Sequence, residues 1–413
     1  MCDSSLRQPG CSRRKWYRHN LQNGSSLLVI RDEECEQRGR AALIELGALI
    51  DTSRRGFSTT AVTAMGQRRP TTNARQRSEV PSHDTMISTR LTERFGIRHP
   101  IVCAPMAWVT GGALAAAVSR AGGLGIVGGG YAGTLDEEPD LETELARVTS
   151  DKFGVGFITW ALARSPTMLT KSLRHSPFCV FLSFGDPRPF AAEIRGAGVV
   201  LICQVQFLWQ IDMALEAGAA AIVVQGTEAG GHGASRSTFP FVPEAADYLK
   251  QHSPETLLLA AGGIVDGRGL AAALMLGADG VLVGTRFWAS AEALTPKSHT
   301  DKAIGVTGDE TIRTKTLDAL RGVPWPREYS FRFLKNKLTD EWADREGEAF
   351  DAFGTLSTKY AQARVQNDLD TVAVVCGEAV GLLRDRPRAA SVVESMTAEA
   401  ASLLRNAGKL RFT

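Results

Sequence analysis

One histidine in a glycine-rich turn is the residue of this sequence best suited to acid–base chemistry. His232 stands in residues 225–233 (QGTEAGGHG), which directly follow the apolar run 219–224. The apolar run predicts a buried strand, and α/β barrels place catalytic groups in the loops after their strands. Imidazole, with an unperturbed pKa of about 6.5, suits proton transfer near neutral pH. The flanking glycines would let the backbone approach a flat ligand closely.

Two further glycine-rich loops have the composition of a phosphate-binding site. Residues 258–269 (LLAAGGIVDGRG) and 281–286 (VLVGTR) each begin as an apolar run that ends in glycine. By count they follow strands 7 and 8, whose loops are the usual phosphate site of a barrel. Glycines there expose N–H groups, and a helix N-terminus adds a favourable dipole. Thr285 adds a hydroxyl, whereas Asp266 is predicted to cap the next helix.

Two other strand ends could contact a flat ring system. Residues 100–108 (PIVCAPMAW) end the first strand with small and sulfur-bearing side chains. Gln204 ends the fifth strand and could donate to a ring carbonyl or a ribityl hydroxyl. The glycine run 122–130 is not a dinucleotide fingerprint, because it follows a helix and contains a strand, which is the wrong order for that motif.

The elements that must position these residues are eight short apolar runs alternating with helix-like segments. Several connections repeat a Gly/Ala turn between a helix end and a β-branched run, as expected of helix C-caps. Such alternation predicts a parallel sheet, and eight units over about 200 residues fit a closed (β/α)8 TIM barrel. The predicted strands are residues 101–104, 124–127, 154–158, 179–183, 199–204, 221–225, 257–261 and 280–283.

The predicted fold is therefore α/β, a TIM barrel with a smaller, mostly helical second domain. Within the second domain, residues 334–350 are predicted to be helical. Residues 375–383 and 389–405 are predicted as final helices that return to the barrel wall. The predicted domains are an N-terminal extension over 1–85, the barrel over 86–294, a helical cap over 295–375 and the C-terminal helices over 376–413.

The N-terminal extension differs in composition from the rest of the chain. Residues 1–85 hold 14 Lys+Arg and 9 Asp+Glu, whereas the remainder holds 33 and 36. Residues 52–78 are Arg-rich and free of acidic residues, which is typical of an organelle transit peptide, but they begin far from the N-terminus. A disordered tail, or a start assigned too far upstream of Met65 or Met86, explains the composition equally well. Localisation is accordingly predicted as cytoplasmic or mitochondrial.

Charge and cysteine usage exclude several classes of function. The mildly acidic folded part predicts no nucleic-acid partner, and no apolar run approaches the roughly 18 residues needed to span a bilayer. The seven cysteines show no C-x-x-C pair and no metal-type spacing. An odd number without a framework suggests a reducing compartment. The expected partner is a small molecule. The sequence leaves open whether the chain is a monomer or binds further copies of itself.

Taken together, these segments resemble the nitronate monooxygenase family, formerly called 2-nitropropane dioxygenases. The resemblance runs from about residue 89 to the C-terminus, and the EAGGH form resembles the branch that acts on nitronates. The segments that carry it are 99–101 (HPI), 104–106 (APM), 228–232 (EAGGH), 261–264 (AGGI), 266–269 (DGRG) and 284–287 (GTRF).

This resemblance implies an FMN cofactor in the barrel and oxidation of alkyl nitronates with O2 to a carbonyl compound and nitrite. His232 matches the catalytic histidine, which would take a proton from a neutral nitroalkane or hydrogen-bond the bound anion. For the third strand the candidate is Thr159, because it directly follows the predicted strand. The implied flavin contacts are Ala104, Pro105, Met106, Thr159, Gln204, Gly230, Gly231, Ala261, Gly262, Gly263, Gly284 and Thr285.

Three other functions remain open on the sequence. Related FMN barrels reduce quinones or enoyl thioesters with NAD(P)H, and their flavin motifs would look alike. A barrel isomerase or lyase could use the same phosphate loops on a sugar phosphate. A flavin-binding scaffold without catalysis is disfavoured by the intact histidine motif.

Overall fold

The structure, a computed structural model, describes residues 14–20, 26–32, 86–135, 138–150 and 152–407. Near the N-terminus, strands β1 (Arg14–Asn20) and β2 (Ser26–Asp32) pair antiparallel in a hairpin, where the sequence predicts no strands. The hairpin belongs to a separate compact unit, residues 1–76. The rest of the predicted disordered or targeting extension lies outside the described residues and stays a prediction.

Eight parallel strands close into a barrel in the second unit, which confirms the predicted fold class. Closure is made by the last barrel strand against the first, with Val281 opposite Ile101 and Val283 opposite Cys103. One further short strand, β9 (Gly231–Gly233), lies outside the barrel, in the loop after barrel strand β8 (Ala221–Gln225). In chain order these strands are β3 (Ile101–Cys103), β4 (Leu124–Gly130), β5 (Phe153–Ile158), β6 (Cys179–Ser183), β7 (Val200–Val205), β8 (Ala221–Gln225), β9 (Gly231–Gly233), β10 (Leu257–Ala261) and β11 (Gly280–Val283).

Alternation along each strand divides the barrel core into two layers. Successive side chains point to opposite faces, so Val102 and Ile126 fill the interior while Ile101 and Val127 pack against the surrounding helices. Each such aliphatic side chain contributes about 1.5–3 kcal/mol when fully buried. The helices from α1 to α10 are Arg90–Phe95, Gly112–Arg120, Leu141–Ala146, Thr159–Leu162, Thr167–Leu173, Arg188–Gly196, Gln210–Glu216, Thr238–His252, Gly267–Met275 and Thr285–Trp288.

Helix α1 closes one end of the barrel and leaves the other end open for a site. Leu91 and Phe95 of this helix are buried in the interior layer, at the amino ends of the strands. A Cβ at Gly280 would lie 2.4 Å from Cδ2 of Leu91, so α1 sits directly against the start of β11. The carboxyl ends of the strands, where the predicted site residues stand, therefore face residues 295–375. This region, called the second domain below, belongs to the same compact unit as the barrel.

The second domain contains a sheet that the sequence analysis missed. Two antiparallel strands, Thr311–Thr314 (β12) and Ser330–Leu334 (β13), extend across the loop after β8, where β13 pairs with β9 in a three-stranded sheet. The helices around this sheet are α11 (Lys297–Ala303), α12 (Thr316–Arg321), α13 (Lys337–Trp342), α14 (Glu346–Asp351) and α15 (Phe353–Gln366).

One predicted helical segment is confirmed in part, and one predicted helix is wrong. Residues 334–350 contain α13 and most of α14, but Leu334 is the last residue of β13. Asn336 then forms a capping box with Thr339, so that α13 starts at Lys337. The segment 375–383 contains only a short 3-10 helix, Glu378–Leu382. The final helix, α16 (Ala389–Ala407), does return to the barrel, where it packs against α2 and α9.

Candidate active site

The carboxyl ends of the barrel strands open into a cavity of about 400 Å³, a volume typical of small-molecule sites. Every barrel strand contributes to its lining, either through its last residues or through the loop that follows. The second domain covers the opening with side chains from α12, β13, α15 and the segment around Trp325. A ligand in this cavity would be enclosed between the barrel and the second domain.

All but one of the residues predicted from the sequence line this cavity. Thr159 is the exception, because β5 ends at Ile158 and Thr159 begins a helix that turns its side chain away. The Thr159 side chain is buried against Gly185, with its hydroxyl unpaired. The lining residues from the predicted set are Ala104, Pro105, Met106, Gln204, Gly230, Gly231, His232, Ala261, Gly262, Gly263, Gly284 and Thr285.

The loop that carries His232 is held by backbone pairing with the second domain. In the β9–β13 ladder, His232 stands opposite Phe331, and Gly231 opposite Arg332. From the barrel side, the Gln225 amide donates to the His232 carbonyl oxygen over 3.0 Å. The histidine backbone is thus fixed from both sides, which limits the positions its ring can take.

A buried guanidinium binds three further carbonyl groups of the same loop. Arg313 of β12 donates to the carbonyl oxygens of Thr227, Ala229 and Gly231 at 3.0, 2.7 and 3.3 Å. Burial, and then the neighbouring charge of Arg332, lower the pKa of Arg313 to about 9. It remains protonated near neutral pH, as a donor to three carbonyls must.

The segment after residue 375 packs against this loop instead of forming the predicted wall helix. Glu378 N donates to the Glu228 carbonyl oxygen, and a Cβ at Gly230 would lie 2.5 Å from the Cys376 carbonyl carbon. Thr285 Oγ1 accepts a hydrogen bond from Gly377 N. The approach is so close that a side chain at Gly230 would collide with backbone.

His232 is a buried, neutral base beside a buried carboxylate. Its Nε2 lies 2.9 Å from Asp318 Oδ1, and the indole of Trp325 stacks on the imidazole with centroids 3.4 Å apart. Burial lowers the pKa of His232 to about 4; the hydrogen bond and charge of Asp318 oppose this shift, while Arg321 and Arg313 add to it. The imidazole is therefore uncharged and able to accept a proton near neutral pH.

The cavity has a positive lining. Among its described lining residues none is Asp or Glu, whereas Arg321 and Arg364 both contribute. The Arg321 guanidinium lies over the rings of Trp108 and Tyr131, at 5.3 and 5.9 Å from their centroids. A low-dielectric pocket with cations and no carboxylate in its wall attracts anionic ligands.

The glycine turns and polar groups of the cavity would suit an FMN molecule. Gly262 and Gly263 have φ angles of +105° and +72°, so the turn after β10 needs glycine. Gly284 follows the adjacent strand, and a Cβ there would meet only side-chain atoms, at 3.6 Å or beyond. Deeper in the barrel, the Gln204 amide donates to Ser183 Oγ, and both side chains line the cavity. Polar groups thus stand at both ends of the cavity.

Sequence reasoning missed the site residues that come from the second domain. Asp318, Arg321 and Trp325 all lie in the segment predicted as a helical cap, and Asp318 is 86 positions from its partner His232. The only local signal is an Asp and an Arg three residues apart on one helix, which is common on solvated surfaces. Their role follows only from the fold.

Comparison with known proteins agrees with this site. Residues 88–167 and 166–399 match the family model described as nitronate monooxygenase. The nitronate monooxygenase npaC of Metarhizium robertsii is 37% identical over 339 residues, covering 74% of this chain and 91% of that protein. The chain belongs to the nitronate monooxygenase family, as its motifs indicated, and is an oxidoreductase of this barrel class.

Two solved structures share the fold at moderate sequence identity. FabK from Thermotoga maritima superposes with a TM-score of 0.67 at 29% identity, covering 78% of this chain and 100% of that one. The nitroalkane oxidase of Streptomyces ansochromogenes has a TM-score of 0.64 at 26% identity, covering 77% and 100%. The similarity therefore spans both the barrel and the second domain.

Neither a metal cluster nor a membrane helix is found in the part of the chain that the structure describes. Within those residues, no three His, Cys, Asp or Glu side chains are grouped as metal ligands. No described helix is both long and apolar enough to cross a bilayer.

Replacing Arg313 should loosen the histidine loop. Arg313→Met removes this donor from the carbonyl groups of Ala229 and Gly231, while the Thr227 carbonyl keeps its hydrogen bond from Arg332 Nε. Each carbonyl left unpaired costs about 1–3 kcal/mol. We expect amide hydrogen exchange of residues 226–233 to accelerate while that of α16 is unchanged. Arg345→Met, which removes a surface ion pair with Glu348 and a cation–π contact with Trp342 but no contact with the histidine loop, is the matched control. Equal exchange in the two variants would show that Arg313 does not hold the loop.

Proposed function

We propose that this protein uses FMN to oxidise alkyl nitronates with O2, giving a carbonyl compound and nitrite. The observation that carries the proposal is the neutral, buried His232 facing a cavity with a cationic wall. Membership of the nitronate monooxygenase family supports this chemistry over a sugar-phosphate isomerase or a flavin-binding scaffold. The named activities of npaC and the Streptomyces nitroalkane oxidase point in the same direction.

FMN is proposed to lie with its phosphate at the loops after β10 and β11. Backbone N–H groups around Gly263 and Gly284 and the hydroxyl of Thr285 would hold the phosphate. The ring would pack against residues 104–106, with Gln204 at its polar edge. When bound, the flavin supplies the electron acceptor and the reaction with O2, while the protein supplies binding and orientation.

The protein residues would handle the proton and the negative charge of the substrate. Unprotonated His232 can take the α proton of a neutral nitroalkane, and the C–H electron pair becomes part of the nitronate C=N bond. Arg321 would bind the nitro oxygens, which carry the negative charge as the proton leaves. A nitronate supplied as the anion would need the interaction with Arg321 but no proton transfer to His232.

A second candidate is an FMN-dependent reductase that takes electrons from NAD(P)H and passes them to a quinone or an enoyl thioester. Similarity to a carboxyl-CoA dehydrogenase of Mycobacterium tuberculosis, 28% identical over 358 residues, supports it, because the name of that relative describes an oxidoreductase that acts on a CoA thioester. Both candidates use the same cavity and flavin, so the electron donor distinguishes them.

Mixing under anaerobic conditions decides between these two functions. The purified protein, saturated with FMN, is mixed separately with propyl-2-nitronate and with NADPH or NADH while the flavin spectrum is recorded. We expect the spectrum to change with the nitronate and to stay constant with the nicotinamides. Bleaching by a nicotinamide alone would establish the reductase, and failure to bind FMN would reject both.

Removing the imidazole should separate proton abstraction from flavin binding. We expect His232→Asn to keep FMN but to lose about 10²–10⁴-fold in kcat/KM with neutral nitroalkanes. Because the pKa of His232 is lowered to about 4, wild-type kcat/KM with nitroalkanes should stay level at neutral pH and fall only near pH 4. Unchanged kinetics in the variant would reject the assignment of His232 as the base.

Removing the cation should weaken binding of the anionic substrate. Arg321→Met is expected to raise the KM for nitronates by about 10- to 100-fold, since a hydrogen bond to a charged group contributes about 1.5–3 kcal/mol. Arg321→Lys should recover part of the loss because it keeps the charge. A KM equal to that of the Arg345→Met control would assign nitronate binding elsewhere.

A further inference from the structure

Asp318 is a buried carboxylate whose position the proposed chemistry does not yet explain. Its side chain and that of His232 are each 5% exposed, and Oδ1 lies 2.9 Å from His232 Nε2. The other oxygen, Oδ2, has no hydrogen-bond partner. Burying an ionised carboxylate with one partner is costly, so nothing in its own hydrogen bonding accounts for an aspartate at this position.

The other charged groups near the pair do not replace its hydrogen bond. Arg321 lies one turn further along α12, and Arg313 approaches from β12; both charges disfavour an imidazolium. The Tyr131 hydroxyl, from the loop after β4, is also within electrostatic range of Asp318 and of Arg321. Of the charged groups that act on His232, Asp318 is the only one that favours its protonated form.

Hydrogen-bond chemistry then determines which ring nitrogen is basic. An ionised carboxylate can only accept, so the contact with Asp318 requires a proton on Nε2. A neutral imidazole carries one N–H, and Nδ1 must therefore hold the lone pair. His232 lines the cavity whereas Asp318 does not, so the carboxylate occupies the nitrogen on the protein side.

We infer that Asp318 is a positioning residue that holds His232 in its Nε2–H tautomer and leaves Nδ1 as the base for the substrate. The inference rests on the proposed function only for the identity of that substrate. In the step itself, Nδ1 takes the α proton and the C–H electron pair becomes the C=N bond. The positive charge formed on the ring is held against Asp318, and no atom changes oxidation state through the protein.

The tautomer can be measured directly and independently of activity. The full chain is labelled with 15N-histidine, and long-range 15N–1H correlations are recorded at pH 7, with the His232 signals identified by their loss in His232→Asn. We expect an N–H type shift for Nε2 and a lone-pair type shift for Nδ1. A proton on Nδ1, or a ring protonated on both nitrogens, would overturn the inference whatever the enzyme oxidises.

Kinetics test the consequence for the substrate. We expect Asp318→Asn to lower kcat/KM for a neutral nitroalkane by about 10- to 100-fold, the usual effect of losing a hydrogen bond that orients a histidine. Turnover of the preformed nitronate, which needs no proton removal, should stay within about threefold, as should both activities of the exposed control Asp340→Asn. Equal losses on both substrates would identify a purely structural role for Asp318.

The two measurements separate this inference from the proposed function. A wild-type protein that turns over neither substrate but shows the Nε2–H tautomer would reject the nitronate chemistry and keep the role of Asp318. If Asp318→Asn does not fold, Asp318→Glu supplies the kinetic test. A rescue of nitroalkane turnover in that variant, relative to His232→Asn, supports the carboxylate as the orienting group.

Discussion

The pairing of backbone groups in the loop after β8 is the constraint on which the rest of the site depends. Residues 226–233 leave the barrel as a partly buried loop, whose buried carbonyl groups need donors. β13 and Arg313 provide these donors from the second domain, and Gln225 provides one from the barrel. The position of His232 is consequently set by groups from the barrel and from the second domain, which are distant from each other in the sequence.

Burial of His232 has a chemical consequence and creates an electrostatic problem. The apolar surroundings keep the imidazole uncharged, which a base requires, yet they penalise the imidazolium that forms once it has accepted a proton. Asp318 offsets part of that penalty, and Arg321 would supply the charge that the proposed nitronate substrate needs. The site thus divides two tasks between two side chains of one short helix, α12.

Local patterns predicted the barrel and the glycine-rich loops that line its cavity, because each depends on a few neighbouring residues. A β-branched run of four or five residues with a glycine turn on each side identifies a buried parallel strand almost by itself. The second domain was harder to predict. SFRFL at 330–334 has the alternation of a strand, but its partner β9 is only three residues long and lies 97 positions earlier. For Thr159 a local pattern was not precise enough. A shift of one residue decides whether a side chain stands at the end of a strand or at the start of the next helix.

Helix α16 gives the barrel a particular order of assembly. It packs against α9, where Gly267 N donates to Glu399, and against α2, near the beginning of the barrel. During synthesis the faces of both helices that α16 covers therefore stay uncovered until residues 389–407 have been made, after the whole second domain. Until then the barrel carries an exposed apolar seam where Val392, Val393 and Met396 later pack.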